Sequence, residues 1–427
     1  MARVLFIGGP AESHVHPTLP LVRELVRLGE EVVYFCSQPY EEEIKQAGAE
    51  FRAYANFLAG RSAEELGHFT QFIRLLLDSA DIVIPGVMER IKGETFDYAI
   101  HDSLFGWGRA IAQKLGIPSV SVSVGFVYTG KKPPTFGETW ATKWRNFIEG
   151  GTFFRESKRL FRELGERHGV PVPDFGNIYY QKADLNIAFT SSLFQPYSER
   201  LDRSFVFIGP AAAQRREPVS FPFERLDGRT LVYISMGTIL AGKEAFFGQC
   251  IEAFRNAPYQ VVMSVGKQTD LSRFADAPSH FIIRHYVPQL ELLKKTQIMI
   301  CHGGMNSTME ALYHDIPVIV VPQSSDQPIV AARVEQLGCG IAIPKEKVSA
   351  DKLGKAVDAI MNDRSYRTKA AKVGESLRQS GGIDKAIREI GAFKRKFLAA
   401  EAATFKLPVG KAGPSAGESL GGQYTWL

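Results

Sequence analysis

The chain of 427 residues has only four cysteines, Cys36, Cys250, Cys301 and Cys339, far apart and without a Cys-x-x-Cys pair. That spacing excludes a disulfide scaffold and a cysteine-based zinc site, and the strand-like or helical context of each thiol points to reduced core cysteines, as in a cytoplasmic protein. Long apolar runs are missing as well. The opening Ala2-Arg3-Val4-Leu5-Phe6-Ile7-Gly8-Gly9 is too short for a signal peptide, and no segment is long enough to span a bilayer. There is no dense basic block: 51 Lys and Arg stand against 46 Asp and Glu, a net charge of +5. So mild a bias does not indicate nucleic acid. No internal repeat is found.

What is present is a globular composition, 45% hydrophobic, in a chain long enough for two domains that each bury a core. Val4 to Gly8 reads as a buried strand. Pro17 suits the first turn of a helix whose apolar positions from Thr18 onward recur at helical spacing until Gly29, and Val32 to Cys36 is the next strand. This is a βαβ unit. Glu41 to Ala47 and Phe69 to Met88 read as helices, Pro118 to Val124 as the most regular period-2 stretch, and Leu185 to Thr190 and Phe205 to Ile208 as strands. These assign residues 1–208 to a first domain. Residues 209–229 have linker composition, residues 230–383 form a second domain, 384–404 a final helix, and 405–427 a loose tail rich in Gly, Ala, Ser and Pro.

The most informative stretch runs from Tyr286 to Gln327. Gln297 to Cys301 reads as a buried strand, His302-Gly303-Gly304 as a turn, and Met305 to Tyr313 as a helix. Glycines there let the backbone approach a ligand, and the helix start presents unpaired N–H groups that favour phosphate. His302, Asn306, Ser307 and Thr308 add side-chain donors, and Glu310, one turn on, can accept from a ribose diol. Upstream, Tyr286 offers a ring to stack on a base whose edge Val287 and Gln289 can read. Downstream, Asp326 and Gln327 suit sugar hydroxyls. Gly237 and Thr238 follow the strand Leu231 to Ser235 and can meet the phosphates from the opposite wall. Ser264 closes another strand. Base, ribose, diphosphate and sugar readers thus fall at the carboxyl ends of successive strands, where open α/β sheets bind ligands.

This stretch resembles the donor signature of the UDP-dependent glycosyltransferases, and the similarity runs from the first strand to about Lys396, closest to the bacterial macrolide-type members. The resemblance implies the GT-B architecture, two Rossmann-like α/β domains with parallel sheets facing across a cleft, and an inverting sugar transfer. Carried over by position, Tyr286, Val287 and Gln289 hold uracil, Glu310 the ribose, His302, Gly304, Asn306 and Ser307 the diphosphate, and Asp326 and Gln327 the hexose. UDP-sugar is then a co-substrate, and no separate cofactor is implied. No Asp-x-Asp pair is placed to hold a divalent ion beside the phosphates, so metal independence is expected.

A base that activates a hydroxyl needs an imidazole and a carboxylate that fixes its tautomer. His14 lies beyond the first strand, and Asp102 ends the strand Phe96 to Asp102. By resemblance, Ser13-His14-Val15-His16-Pro17 matches the family's Gly-His-Val-Asn-Pro loop, with Ser13 for Gly and His16 for Asn. His14 is therefore taken as base and His16 as a contact to acceptor or sugar, although two imidazoles now compete for the role. Phe105, Trp107, Phe126, Tyr128, Phe136 and Trp140, followed by Trp144, Phe147, Phe153 and Phe154, suggest an apolar pocket for a flat or bulky acceptor such as a macrolide, a flavonoid or another phenol. Three rivals share parts of the pattern: a nucleotide-sugar epimerase, a non-catalytic nucleotide-sugar binding module, and a deoxysugar transferase with a dTDP donor.

Overall fold

The computed structural model describes residues 1–58, 69–129, 131, 133–137, 159, 162–163, 165–169, 182–211, 219–237, 244–267 and 269–404. Among these residues the strands form two sheets, parallel throughout. The first holds β1 (Arg3–Ile7), β2 (Glu31–Cys36), β3 (Glu50–Ala53), β4 (Tyr98–Asp102), β5 (Ser119–Ser123), β6 (Leu185–Ala188) and β7 (Phe205–Phe207), in the order 3-2-1-4-5-6-7. The second holds β8 (Leu231–Ser235), β9 (Gln260–Ser264), β10 (Phe281–Arg284), β11 (Ile298–Cys301), β12 (Val318–Val320) and β13 (Gly340–Ala342), in the order 10-9-8-11-12-13.

Both sheets are covered on both faces, which is why their central strands are Val- and Ile-rich without a polar side. Val4 and Phe6 face one core of the first lobe and Leu5 and Ile7 the other. Leu231 and Tyr233 divide from Val232 and Ile234 in the same way. Each such side chain contributes about 1.5–3 kcal/mol by leaving water. Even the alternating Ser-Val-Ser-Val-Ser of β5 is buried at every position, because the strand lies inside the sheet.

The strand order reverses between β1 and β4 in one sheet and between β8 and β11 in the other. At such a switch point the connections leave in opposite directions and open a crevice beyond the carboxyl ends. His14, Asp102, Gly237 and His302 lie at or just beyond the carboxyl ends of β1, β4, β8 and β11.

One finding departs from the sequence reading. Helix α1 spans Glu12–Arg27, so the segment around His14 lies within its first turns, and Pro17 and Pro20 sit inside the helix. Proline there removes an i to i−4 bond rather than marking the start. The last helix, which follows α10 (Arg364–Gln379), is α11 (Gly382–Thr404). It crosses back to the first lobe, where Ile383, Ala386, Ile390 and Phe393 join that core, Phe393 meets Tyr98 edge-on and Lys394 pairs with Glu30. The reverse crossing also occurs. Phe194, which follows β6, is fully buried in the second lobe's core, and Arg333 donates to the carbonyls of Leu193 and Phe194 at 2.6 and 3.0 Å.

Candidate active site

His14, in the first turn of α1, and Asp102, the last residue of β4, come together. His14 Nδ1 lies 2.6 Å from Asp102 Oδ2. Asp102 is almost wholly buried, and its other oxygen accepts the Leu104 N–H at 2.8 Å, which fixes the carboxylate. Phe105 meets the imidazole edge-on at 5.7 Å. Burial pulls the His14 pKa down. The attraction and hydrogen bond of Asp102, with a further contribution from Asp326 of the opposite lobe, outweigh that and leave it above the ordinary histidine value. Asp326, on the second lobe, is exposed. Desolvation raises its pKa, and His14 partly offsets the rise.

His16 is turned elsewhere. Its Nε2 lies 2.7 Å from Glu43 Oε2 of α2 (Glu41–Gln46), and its Nδ1 lies 3.6 Å from Glu12 Oε1. Both ring nitrogens face carboxylates of their own lobe, so the expected contact to acceptor or sugar is not what this side chain is arranged to make.

On the second lobe, α7 (Met305–Tyr313) follows the turn after β11. His302 is wedged between two glycines. A Cβ on Gly237 would lie 2.7 Å from its ring, and one on Gly304 2.5 Å, so neither position admits a side chain. Gly237 also has φ +71, which glycine adopts without strain. Asn306 Nδ2 donates to the Ser13 carbonyl across the cleft at 3.1 Å. Ser307 Oγ lies 3.4 Å from Gln289 Nε2.

Gln289, the first residue of α6 (Gln289–Leu293), departs from the expectation of a base reader. Its oxygen accepts the Tyr233 hydroxyl at 2.9 Å and its amide nitrogen donates to Glu310 Oε2 at 2.6 Å. A buried amide must satisfy its polar atoms, and here protein groups do so. Gln289 thereby orients the Glu310 carboxylate. Tyr286 is half-buried, with the Lys267 ammonium 5.5 Å from its ring centre. Its phenol pKa is raised by burial and by Glu12 of the first lobe, which puts the ring within the field of the opposite wall. Val287 is buried in the second lobe's core. Ser264 Oγ donates to the His285 carbonyl at 3.3 Å.

The loop before α8 (Gln327–Leu337) is held by Gln327, whose Oε1 accepts the N–H groups of Gln323 and Ser324 at 2.8 and 3.2 Å. Ser325, at φ +60, is one of the few non-glycine residues in the left-handed region, and this turn delivers Asp326 to the cleft.

The aromatic set divides. Phe105 and Trp107, each 2% exposed, belong to the first lobe's core, and the Trp107 indole donates to Ser79 Oγ at 3.2 Å. They support the His14 side of the cleft and do not line an open wall, because large rings beside a sheet are worth more as packing. Phe126 and Phe136 are half-buried against the second lobe, Phe126 5.4 Å from Phe194, and the Phe136 N–H donates to the Pro328 carbonyl at 2.9 Å. Tyr128 packs against the small cluster of Val127 and Ala188. Trp140, Trp144, Phe147, Phe153, Phe154 and Thr238 lie outside the described residues, as does the tail from 405. The contacts that escaped the sequence reading are Asn306 to Ser13, Gln289 to Glu310, and Arg333 to the 193–195 carbonyls; all join residues distant in the chain.

Among the described residues no cluster of three His, Cys, Asp or Glu side chains is arranged to hold a metal ion, and no helix is long and apolar enough to cross a membrane.

With this geometry in hand, comparison with known proteins is informative. Residues 255–380 match the family described as erythromycin biosynthesis protein CIII-like, C-terminal domain. The chain is 35% identical to an uncharacterised UDP-glucosyltransferase, YojK, of Bacillus subtilis, over 94% of this chain and all of that one. It is 33% identical to the NDP-glycosyltransferase YjiC of the same organism, over 92% and 97%. The crystal structure of the glycosyltransferase of kitacinnamycin superposes with a TM-score of 0.79 at 25% identity, covering 92% of this chain and 98% of that one. The chain thus belongs to the UDP-glycosyltransferases, of the macrolide type, and is a glycosyltransferase with the GT-B fold.

Proposed function

We propose that the enzyme is an inverting, metal-independent transferase that moves a hexose, glucose being the expected one, from its UDP-sugar to a hydroxyl of a hydrophobic small molecule. The observation that carries this reading is the 2.6 Å contact between His14 Nδ1 and Asp102 at the mouth of the first sheet's switch point. An ionised carboxylate accepts, so Nδ1 carries the proton and Nε2 keeps the lone pair that a general base requires.

In this mechanism the acceptor hydroxyl gives its proton to His14 Nε2 as its oxygen bonds to the anomeric carbon. The bond from that carbon to the diphosphate oxygen breaks on the opposite face, and UDP leaves with the electron pair. Charge grows on the diphosphate as it departs. The N-terminus of α7 and the side chains of Asn306 and Ser307 are suited to stabilise it more in the transition state than in the ground state. Tyr286 and Val287 serve the base, Glu310 as oriented by Gln289 serves the ribose, and Asp326 with Gln327 serves the hexose. Phe126, Tyr128 and Phe136 favour an apolar acceptor, as do relatives named for antibiotic scaffolds.

The test is direct. His14→Ala is expected to abolish transfer while UDP still binds by calorimetry, and unchanged turnover overturns the assignment. Incubating UDP-glucose with a panel of macrolides and phenols, with mass detection of glycosides, identifies the acceptor class. Conversion of UDP-sugar alone would favour an epimerase.

A further inference from the structure

In an α-helix each carbonyl accepts the N–H four residues on, and proline has none to give. Pro17 lies in α1 four residues after Ser13, so the Ser13 carbonyl is denied its helical donor. The donor it does receive comes from the other lobe, from Asn306 Nδ2 at 3.1 Å. Ser13 is the chain neighbour of His14, and Asn306 stands in the first turn of α7, at the end that faces the diphosphate. A single bond therefore joins the backbone beside the base to the helix that receives the leaving group.

We propose that Pro17 and Asn306 form a two-part interlobe latch: Pro17 withholds the helical N–H from the Ser13 carbonyl, and the Asn306 amide takes it instead, which fixes the distance between His14 and the donor seat. Asn306 is then a positioning residue for the base in addition to any phosphate contact. The inference rests on the reading of His14 as base. The chemistry permits both duties at once, because a carboxamide has two N–H donors and only one is spent on Ser13. Of the other ties between the lobes, the Phe136 N–H bonds the Pro328 carbonyl at 2.9 Å beside the Asp326 loop, and two lie elsewhere. Arg333 holds the carbonyls of Leu193 and Phe194, and the Gly382 N–H bonds the Ile208 carbonyl at 2.9 Å. These can act as the fixed side of a hinge whose free side the Asn306 bond closes.

The experiment is a double-mutant cycle on the full chain with Pro17→Ala and Asn306→Ala, read as kcat at saturating substrates and as UDP affinity. Alanine at 17 restores an N–H that competes for the Ser13 carbonyl, and it is a good helix former. Pro17→Ala is expected to lower kcat about tenfold, the scale of a misplaced reacting group, with UDP affinity unchanged. Asn306→Ala is expected to lower kcat as much or more and to weaken UDP binding. The double variant should be no slower than Asn306→Ala, since both remove the same bond. Asn306→Asp, equal in size but without the N–H donors and with a negative charge beside the departing diphosphate, should lower kcat at least as far as Asn306→Ala. Wild-type kcat in Pro17→Ala overturns the latch, as does a double variant whose loss is the product of the two single losses. His14→Ala separates the two ideas. If it keeps turnover the base assignment fails. If it is inactive while the cycle is multiplicative, the latch alone fails.

Discussion

Asp326 and His14 belong to different lobes, yet each alters the other's titration. The carboxylate raises the imidazole pKa and the imidazole lowers that of the carboxylate. The proposed base and the residue proposed to hold the hexose therefore share one electrostatic field before any substrate arrives. This relation, with the Asp102 bond behind it, sets what pH and mutation should do.

A base must be deprotonated to act, and His14 holds its proton above the ordinary value of about 6.5. Acceptor kcat/KM is therefore expected to rise with pH through a pKa above that of free histidine. Asp102→Asn should lower kcat about 10³-fold, because the tautomer is no longer held, and should move the remaining acid limb to lower pH. A pH–rate profile of both proteins checks this. An unmoved limb would mean that another group titrates.

The same shift has a consequence for stability. Since the folded state binds the His14 proton more tightly than the unfolded chain does, this contribution is fully present below about pH 6.5 and is lost as pH rises through the folded value. In Asp102→Asn that dependence should flatten, measured as the difference in Tm between pH 5.5 and pH 8.5.

Asp326→Asn removes the carboxylate charge that helps to raise the His14 pKa. Donor KM should rise about tenfold or more, the range for a hydrogen bond to a charged group, and the acid limb should shift downward as in the Asp102 variant. If KM rises without any pH shift, the field of Asp326 does not reach the working base.

Gln289 bridges Tyr233 and Glu310 inside the second lobe. Gln289→Ala should cost about 1–3 kcal/mol of stability and raise the donor KM, because Glu310 loses the group that orients it. Glu310→Ala should raise the donor KM at least as far. Chemical denaturation and donor-saturation curves test the pair, and an unaltered KM in both would remove ribose binding from this site.

Arg333→Ala takes the guanidinium from the 193–195 carbonyls, at a cost of about 1–3 kcal/mol, or roughly 2–4 °C in Tm for each kcal/mol in a lobe of this size. Turnover should fall less than in the latch variants, since the hinge side lies away from the mouth. Activity is also expected to survive excess chelator, and strict dependence on a divalent ion would contradict the proposed metal-independent mechanism.

Much of this was legible in the chain itself. The apolar strands, the His302-Gly303-Gly304 turn and the helix Met305–Tyr313 are written in period and turn chemistry. The base turn was less legible. Pro17 suggests a helix start, but the helix begins at Glu12 and tolerates the proline. His16 looks like a site residue until Glu43, on another helix, is seen to hold it. Phe105 and Trp107 read as a pocket wall and prove to be core.

By itself the sequence determined the α/β alternation, the order of the groups proposed for the donor and the imidazole near the first strand, because each depends on neighbours within a turn or two. Only the tertiary structure decided which imidazole meets Asp102, that Gln289 serves Glu310, and that Asn306 reaches Ser13 across the cleft. Those pairings join residues 88, 21 and 293 positions apart. No local preference encodes such a distance; it follows from strand order and from how two folded lobes pack together.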